Sequence, residues 1–196
     1  HRVIVQSQIK SIGGRFPMPN FESIKGKKIR AQGMDAQIVE SMGGVPVNIA
    51  WGDIYMAVKL GTVDGFTSGA GSLYSDKFYE VSTDFLVNPS ITDGKVHLLF
   101  NKTAFAALPQ DIQDTILRDT PKLGLLSAAA FHNQCDWAIA NASKMGMKMW
   151  SWSEADIAKA KAKAVSEIWP KISAMSPRTK KLVDIVIAWE KAYGRM

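Results

Sequence analysis

Residues 27–67 read KKIRAQGMDAQIVESMGGVPVNIAWGDIYMAVKLGTVDGFT, and two kinds of pattern alternate along them. Short runs with apolar and β-branched residues predict strands at 27–31, 45–49 and 62–67. Apolar residues at helical spacing predict helices at 34–42 and 53–60, and glycines close both of them. Strands and helices that alternate through short connections are typical of right-handed βαβ units around a mostly parallel sheet. We therefore predict an α/β fold.

The flanking sequence adds further elements on both sides of this unit. We predict strands at 2–9, 81–87 and 96–101, a loop at 11–20 and a short helical turn at 21–25. The second half is mainly helical, with Pro121 expected to kink or break its first helix. Ser153 and Ser176 are expected to cap later helices. We divide the chain into an α/β ligand-binding lobe, 1–102, and a helical C-terminal region, 103–196.

The composition limits the class of protein and of partner. With 196 residues, 46% of them hydrophobic and 21% charged, the chain is long enough for a full core, and disorder is excluded for the whole. The net charge of +6 attracts anions without naming one. The single cysteine, Cys135, excludes an internal disulfide and a cysteine-based zinc site. No apolar run reaches the roughly 18 residues of a membrane helix, so we expect no membrane insertion.

Motifs for catalysis are weak. His132 lies one helical turn before Asp136 and three residues before Cys135, but no third orienting group is identifiable. We expect no catalytic residue, no metal and no cofactor. An α/β enzyme that acts on a small carboxylate-bearing substrate, with His132 and Cys135 involved, stays open as the alternative. The lysines are spread along several elements with little aromatic interleaving, so we expect no nucleic-acid partner.

Three side chains follow predicted strands of the central unit, at the edge where open α/β sheets bind ligands. Arg30 ends one strand, and its planar guanidinium fits a carboxylate. Trp51 follows the next strand and is suited to cover the apolar part of a ligand. Ser68 follows the third strand, and its hydroxyl can donate to the same anion. These positions predict a binding site for a small organic anion.

Several short motifs, in this order and spacing, resemble the DctP-like solute-binding proteins of tripartite ATP-independent periplasmic (TRAP) transporters. They are SIKGKKIR at 23–30, GGVPV at 43–47, WGDIYMAV at 51–58, GTVDG at 61–65 and YSDKFYEV at 74–81. The resemblance implies a periplasmic binding protein type II-like lobe, a mostly parallel sheet and C-terminal helices. It also implies a periplasmic protein that captures a small organic acid and delivers it to the membrane permease of a TRAP transporter.

The family's ligand residues carry over to five positions. The arginine that clamps the ligand carboxylate falls on Arg30, and the aromatic residue over the ligand falls on Trp51. Ser68 stands where the family usually has asparagine, which shortens the side chain and removes an amide. Lys10 falls close to a further ligand arginine, and Ser90 falls near another polar ligand position.

The resemblance also implies a first lobe and a secretory signal ahead of residue 1. We therefore expect this chain to be a fragment, a second lobe whose C-terminal helices brace both lobes and whose uncovered apolar surface favours oligomerisation. The ligand stays open among C4-dicarboxylates, sugar acids, 2-oxo acids, aromatic acids and sulfonates.

Overall fold

The computed structural model describes the backbone of residues 2–194 and the side chains of residues 9–194. Within that part of the chain, the strands are β1 (Arg2–Gly14), β2 (Lys28–Arg30), β3 (Val45–Val47), β4 (Gly65–Ser68), β5 (Asp84–Asn88), β6 (Thr92–Leu99) and β7 (Lys148–Ser151). The α-helices are α1 (Met34–Ser41), α2 (Ile54–Lys59), α3 (Gly71–Ser75), α4 (Lys102–Ala106), α5 (Gln110–Ala140), α6 (Glu154–Lys163), α7 (Trp169–Ala174) and α8 (Pro177–Ala192). Short 3-10 turns lie at Phe21–Ile24, Trp51–Asp53, Phe78–Glu80 and Ala142–Met145.

The strands form one mixed sheet in the order β3-β2-β4-β1-β5-β7, and β6 pairs with β1 off this path. β2 is parallel to both β3 and β4, and β5 is parallel to β7. β1 is antiparallel to its neighbours β4 and β5, so along this path it runs against the others. The βαβαβ unit and the α/β fold with a mostly parallel sheet are confirmed.

β1 is longer than predicted, and the loop expected from residue 11 starts only after Gly14. The strand continues through Gly13 and Gly14. Glycine is needed at both positions because the backbone there lies close to neighbouring groups. A Cβ on Gly13 would lie 2.7 Å from Cζ of Phe66, and one on Gly14 would lie 2.8 Å from the Asp64 carbonyl oxygen. The two glycines therefore serve packing rather than a turn, and the loop prediction was wrong for residues 11–14.

Both faces of the sheet are covered. On β5, Phe85 packs into a core with Phe66 and Ile54, whereas its neighbour Leu86 packs into a second core with Ile29. Successive residues of a strand point to opposite faces, so the pair Phe85–Leu86 joins the two cores across the sheet. Such double coverage is typical of sheets built from βαβ units.

The C-terminal half contributes more than helices. β7, which the sequence analysis missed, extends the sheet beside β5. Trp152 follows it into the second core, where its indole Nε1 donates to the carbonyl oxygen of Met18 at 3.1 Å. α5 runs through Pro121 as one helix, so the break allowed for at that residue is absent.

Two predicted helix caps are confirmed. Ser153 Oγ accepts from the backbone N–H of Asp156 at the start of α6, and Ser176 Oγ accepts from that of Thr179 at the start of α8. Among the helices of residues 2–194, we find none that combines the length and the apolar character of a bilayer-crossing segment.

Candidate ligand-binding site

Arg30 is the last residue of β2 and is only 6% exposed. Its Nε donates to the carbonyl oxygen of Ile49, just beyond the parallel neighbour β3, at 2.9 Å. Within residues 9–194 no group accepts a hydrogen bond from its two terminal Nη nitrogens. Burial lowers the pKa of Arg30 and the negative charge of Asp35 opposes this, while an arginine stays protonated at physiological pH. The side chain is thus a fixed cation with an open fork, meaning that its two Nη nitrogens are available to an acceptor in the cavity that Arg30 lines.

Trp51 lies beside this cation, in the 3-10 turn that follows β3. The ring is 5.5 Å from Cζ of Arg30, which is within the range of a cation–π contact. Its Nε1 donates to Oδ1 of Asp76 at 3.1 Å, and its ring centroid is 5.6 Å from that of Phe78. These contacts fix the indole while the residue stays 44% exposed, so it can still meet a ligand.

Ser68 and Lys10 border the same space. Ser68 ends β4, is 1% exposed, and its Oγ donates to the carbonyl oxygen of Gly69 at 3.1 Å. Lys10 lies in β1, with its Nζ 3.2 Å from Oδ2 of Asp35. The lysine charge is therefore paired within the chain.

These side chains surround one cavity of about 370 Å³. Its lining residues are Lys10, Arg30, Gln32, Trp51, Ser68, Gly69, Ser72 and Phe131. The structure thus brings together four of the five residues that the sequence singled out. Ser90 is exposed and lines a separate hollow with Pro89 and Ile91.

Asp35 is a residue that the sequence analysis missed. It is buried in the first turn of α1, and it accepts from Lys10, Thr67 and Thr92 at 3.2, 3.2 and 2.8 Å. These donors come from β1, β4 and β6, so one carboxylate ties three strands to α1. An acidic residue in the first turn of a helix is common because it complements the helix dipole, and the sequence gave no stronger signal.

Phe131 is the second missed residue. It lies on the alanine-rich α5, and its ring lies against the end of β4 because residue 69 is glycine. A Cβ at that position would fall 2.4 Å from Cζ of Phe131. The only sequence signal for this contact is the glycine after a predicted strand.

His132 and Cys135 do not form the pair that an enzyme would need. Cys135 Sγ accepts from the backbone N–H of Gly71 at 3.3 Å, and burial raises the pKa of its thiol. Across residues 9–194 no hydrogen bond joins His132 to Cys135, and His132 contacts the ring of Phe131. A raised pKa disfavours the thiolate, which is the nucleophilic form.

The sequence model of the DctP family, bacterial extracellular solute-binding protein family 7, matches residues 5–175. The chain belongs to this family. The resemblance to TRAP solute-binding proteins is thereby confirmed. Because DctP proteins bind solutes and are not enzymes, the prediction that the chain is not an enzyme is confirmed, and the enzyme alternative loses its support.

Two curated relatives illustrate the match to DctP proteins. A solute-binding protein of Sulfitobacter sp. is 34% identical over 118 residues, which cover 59% of this chain and 35% of that protein. The C4-dicarboxylate-binding periplasmic protein DctP of Shewanella loihica is 25% identical over 142 residues, which cover 71% of this chain and 40% of that protein. The chain thus aligns with well under half the length of these two relatives.

Solved structures of DctP-type proteins share the fold. A TRAP periplasmic solute binding protein from Rhodoferax ferrireducens with bound malonate has a TM-score of 0.82 at 21% identity, covering 98% of this chain and 63% of that chain. The periplasmic ectoine-binding protein of Halomonas elongata has a TM-score of 0.81 at 16% identity, covering 97% of this chain and 64% of that chain.

Proposed function

We propose that the protein is a periplasmic solute-binding protein that captures a small organic acid and delivers it to the membrane permease of a TRAP transporter. One observation carries the proposal: Arg30 is buried and anchored through Nε, yet its Nη fork is open beside a cavity. A buried cation without a partner is costly, and a carboxylate is the partner that matches a guanidinium in shape and charge.

Capture follows from the surroundings of Arg30. A carboxylate would accept from the two Nη nitrogens, and the Trp51 ring would keep water away from the pair. Exclusion of water matters because an exposed ion pair contributes about 0–1 kcal/mol, whereas a charged hydrogen bond away from water contributes about 1.5–3 kcal/mol. The site then holds its ligand by an electrostatic contact that needs no chemical step.

The other predicted positions have different support. We propose Ser68 and Lys10 as neighbours of the bound anion because they line the cavity with Arg30. Ser90 stays a prediction from the resemblance, and its place in a separate hollow gives it no support. We retain 1–102 as the ligand-binding lobe, with β7 completing its sheet, and 103–196 as the bracing region.

The similar proteins add support for an acidic ligand and for the periplasm. Malonate is bound in the structure from Rhodoferax ferrireducens, and D-glucuronate is bound in a similar structure from Chromohalobacter salexigens. The Shewanella relative is named as a periplasmic protein. A carboxylate is common to both bound molecules, which agrees with an arginine as the central contact.

A thermal-shift screen of an organic-acid library against the full-length protein tests this function, followed by calorimetry on the best acid. Arg30→Ala should weaken binding about 10- to 100-fold, the loss of a charged hydrogen bond, and Arg30→Lys should weaken it less. Arg118→Ala is the control, since Arg118 is exposed and paired with Asp119. Unchanged affinity in a folded Arg30→Ala variant would refute the proposal.

A further inference from the structure

Several polar groups around the cavity are hydrogen-bonded within residues 9–194, whereas the Ser72 hydroxyl, which also lines it, is not. The indole N–H of Trp51 donates to Asp76, and the Ser68 hydroxyl donates to Gly69. Gln32 Nε2 donates to Oδ1 of Asn48 at 2.7 Å and to the Ile49 carbonyl oxygen at 3.3 Å. The charge of Lys10 is paired with Asp35. Among the described lining residues, the open fork of Arg30 is therefore the one cation whose charge has no partner carboxylate in hydrogen-bond contact.

Two aromatic rings border the same space as this fork. Trp51 presents a half-exposed indole whose only polar atom is already bonded, so what it offers a ligand is ring surface. Phe131 lies against the end of β4 at Gly69 and lines the cavity on the side of α5. Aromatic faces pack favourably against other flat rings, whereas they give a hydroxyl group only a weak acceptor.

A second cavity of about 200 Å³ adjoins the first, because Lys10 and Phe131 line both. Its other walls include the apolar side chains of Ile9, Phe85 and Ile139. Ser11, His132 and Asp136 also line this second cavity, but most of its surface is apolar, so a ligand ring that extends past Phe131 would be in contact mainly with apolar groups.

We propose that the ligand is an aromatic monocarboxylate and that Phe131 is a specificity-determining residue. This inference rests on the proposed function and adds the class of acid. The carboxylate meets Arg30, and the flat ring lies among Trp51, Phe131 and the apolar walls. A sugar acid would place hydroxyls against the ring surfaces of Trp51 and Phe131, and a second carboxylate would meet a lysine whose charge Asp35 already balances.

Calorimetry with five defined acids tests the class. The flat probes are benzoate and naphthalene-2-carboxylate, and the comparison acids are cyclohexanecarboxylate, glucuronate and succinate. At least one flat probe should bind about tenfold more tightly than every comparison acid, because ring contacts at two aromatic side chains are lost in each of the others. A comparison acid that binds as tightly as both flat probes, or flat probes that fail to bind, would overturn the inference.

The role of Phe131 has its own variant. Phe131→Leu should weaken the flat probes about two- to tenfold while it leaves acetate binding unchanged, because acetate has a carboxylate but no ring. Phe100→Leu is the matched control, a half-buried phenylalanine that packs on Phe105 instead. Equal losses for acetate and the flat probes would contradict a role in specificity. Failure of the proposed function would look different, since then no acid would bind in an Arg30-dependent way.

Discussion

Apolar residues are buried in the sheet and its two cores, here called the α/β body, but are exposed on the last helix. Ile29 and Phe66 of the sheet are fully buried, whereas Leu182, Ile185 and Trp189 of α8 are 56%, 55% and 45% exposed. Both regions show the apolar spacing expected for their secondary structure. The body supplies both sides of its own core, whereas α8 lies against α7 and keeps its apolar stripe about half exposed. An apolar stripe therefore predicts the element but not what packs against it.

The largest effect should come from the body. Phe66→Ala removes a fully buried ring between Phe78 and the backbone of Gly13, so it should lower the free energy of unfolding by about 3–5 kcal/mol. Urea denaturation followed by circular dichroism measures this loss. Leu125→Ala, at a residue that is 76% exposed, is the control. A loss below about 1 kcal/mol for Phe66→Ala would contradict the closed core.

The Asp35 network should give the next effect. Asp35→Asn removes the charge that Lys10 faces and brings an amide N–H toward donors, so it should cost about 1–3 kcal/mol of stability. Asp184→Asn, in the exposed pair with Lys180, should change the stability by less than about 0.5 kcal/mol. Equal results for the two variants would mean that Asp35 does not tie the strands together.

Cys135 probes how tightly α5 lies on the body. Burial raises the pKa of its thiol above the ordinary value, so the thiolate fraction at pH 8 is smaller in the folded protein than in the unfolded chain. Iodoacetamide should therefore modify the folded protein at least about tenfold more slowly, with the rate rising as pH increases. Mass spectrometry with and without urea measures the ratio. Equal rates would place the thiol at an open surface.

The smallest effect should come from α8. Leu182→Ala removes a side chain that is 56% exposed and should change the stability by no more than about 0.5 kcal/mol. Leu86→Ala makes the same chemical change in a fully buried position and should cost about 2–5 kcal/mol. Two-state unfolding curves of the pair give the comparison directly. Similar losses would show that α8 is as well packed as the sheet.

Local patterns predicted the fold best where neighbours in sequence are neighbours in space. The βαβαβ unit at 27–67 follows this rule because each crossover is short. β7 was missed because its four residues carry little pattern and because its partner β5 is far away in sequence. β1 was cut short because glycine normally signals a turn, whereas here two aromatic rings need the room.

The residues of the site show the same difference between local patterns and contacts of distant segments. Arg30, Trp51 and Ser68 were predicted because strand ends gather at one edge of a parallel sheet, and the structure places all three at one cavity. Asp35 and Phe131 were missed because their roles depend on contacts between distant segments. The first bonds to β1 and β6, and the second packs from α5 onto the end of β4.

Gly69 makes the shape of this cavity sensitive to a position that has no side chain. Any other amino acid there would collide with the Phe131 ring, 2.4 Å from the new Cβ, and displace it from the end of β4. Arg30, on a different strand, would keep its anchor to Ile49. A single substitution at residue 69 would thus reshape the cavity beside Phe131 and leave the position of the Arg30 guanidinium unchanged.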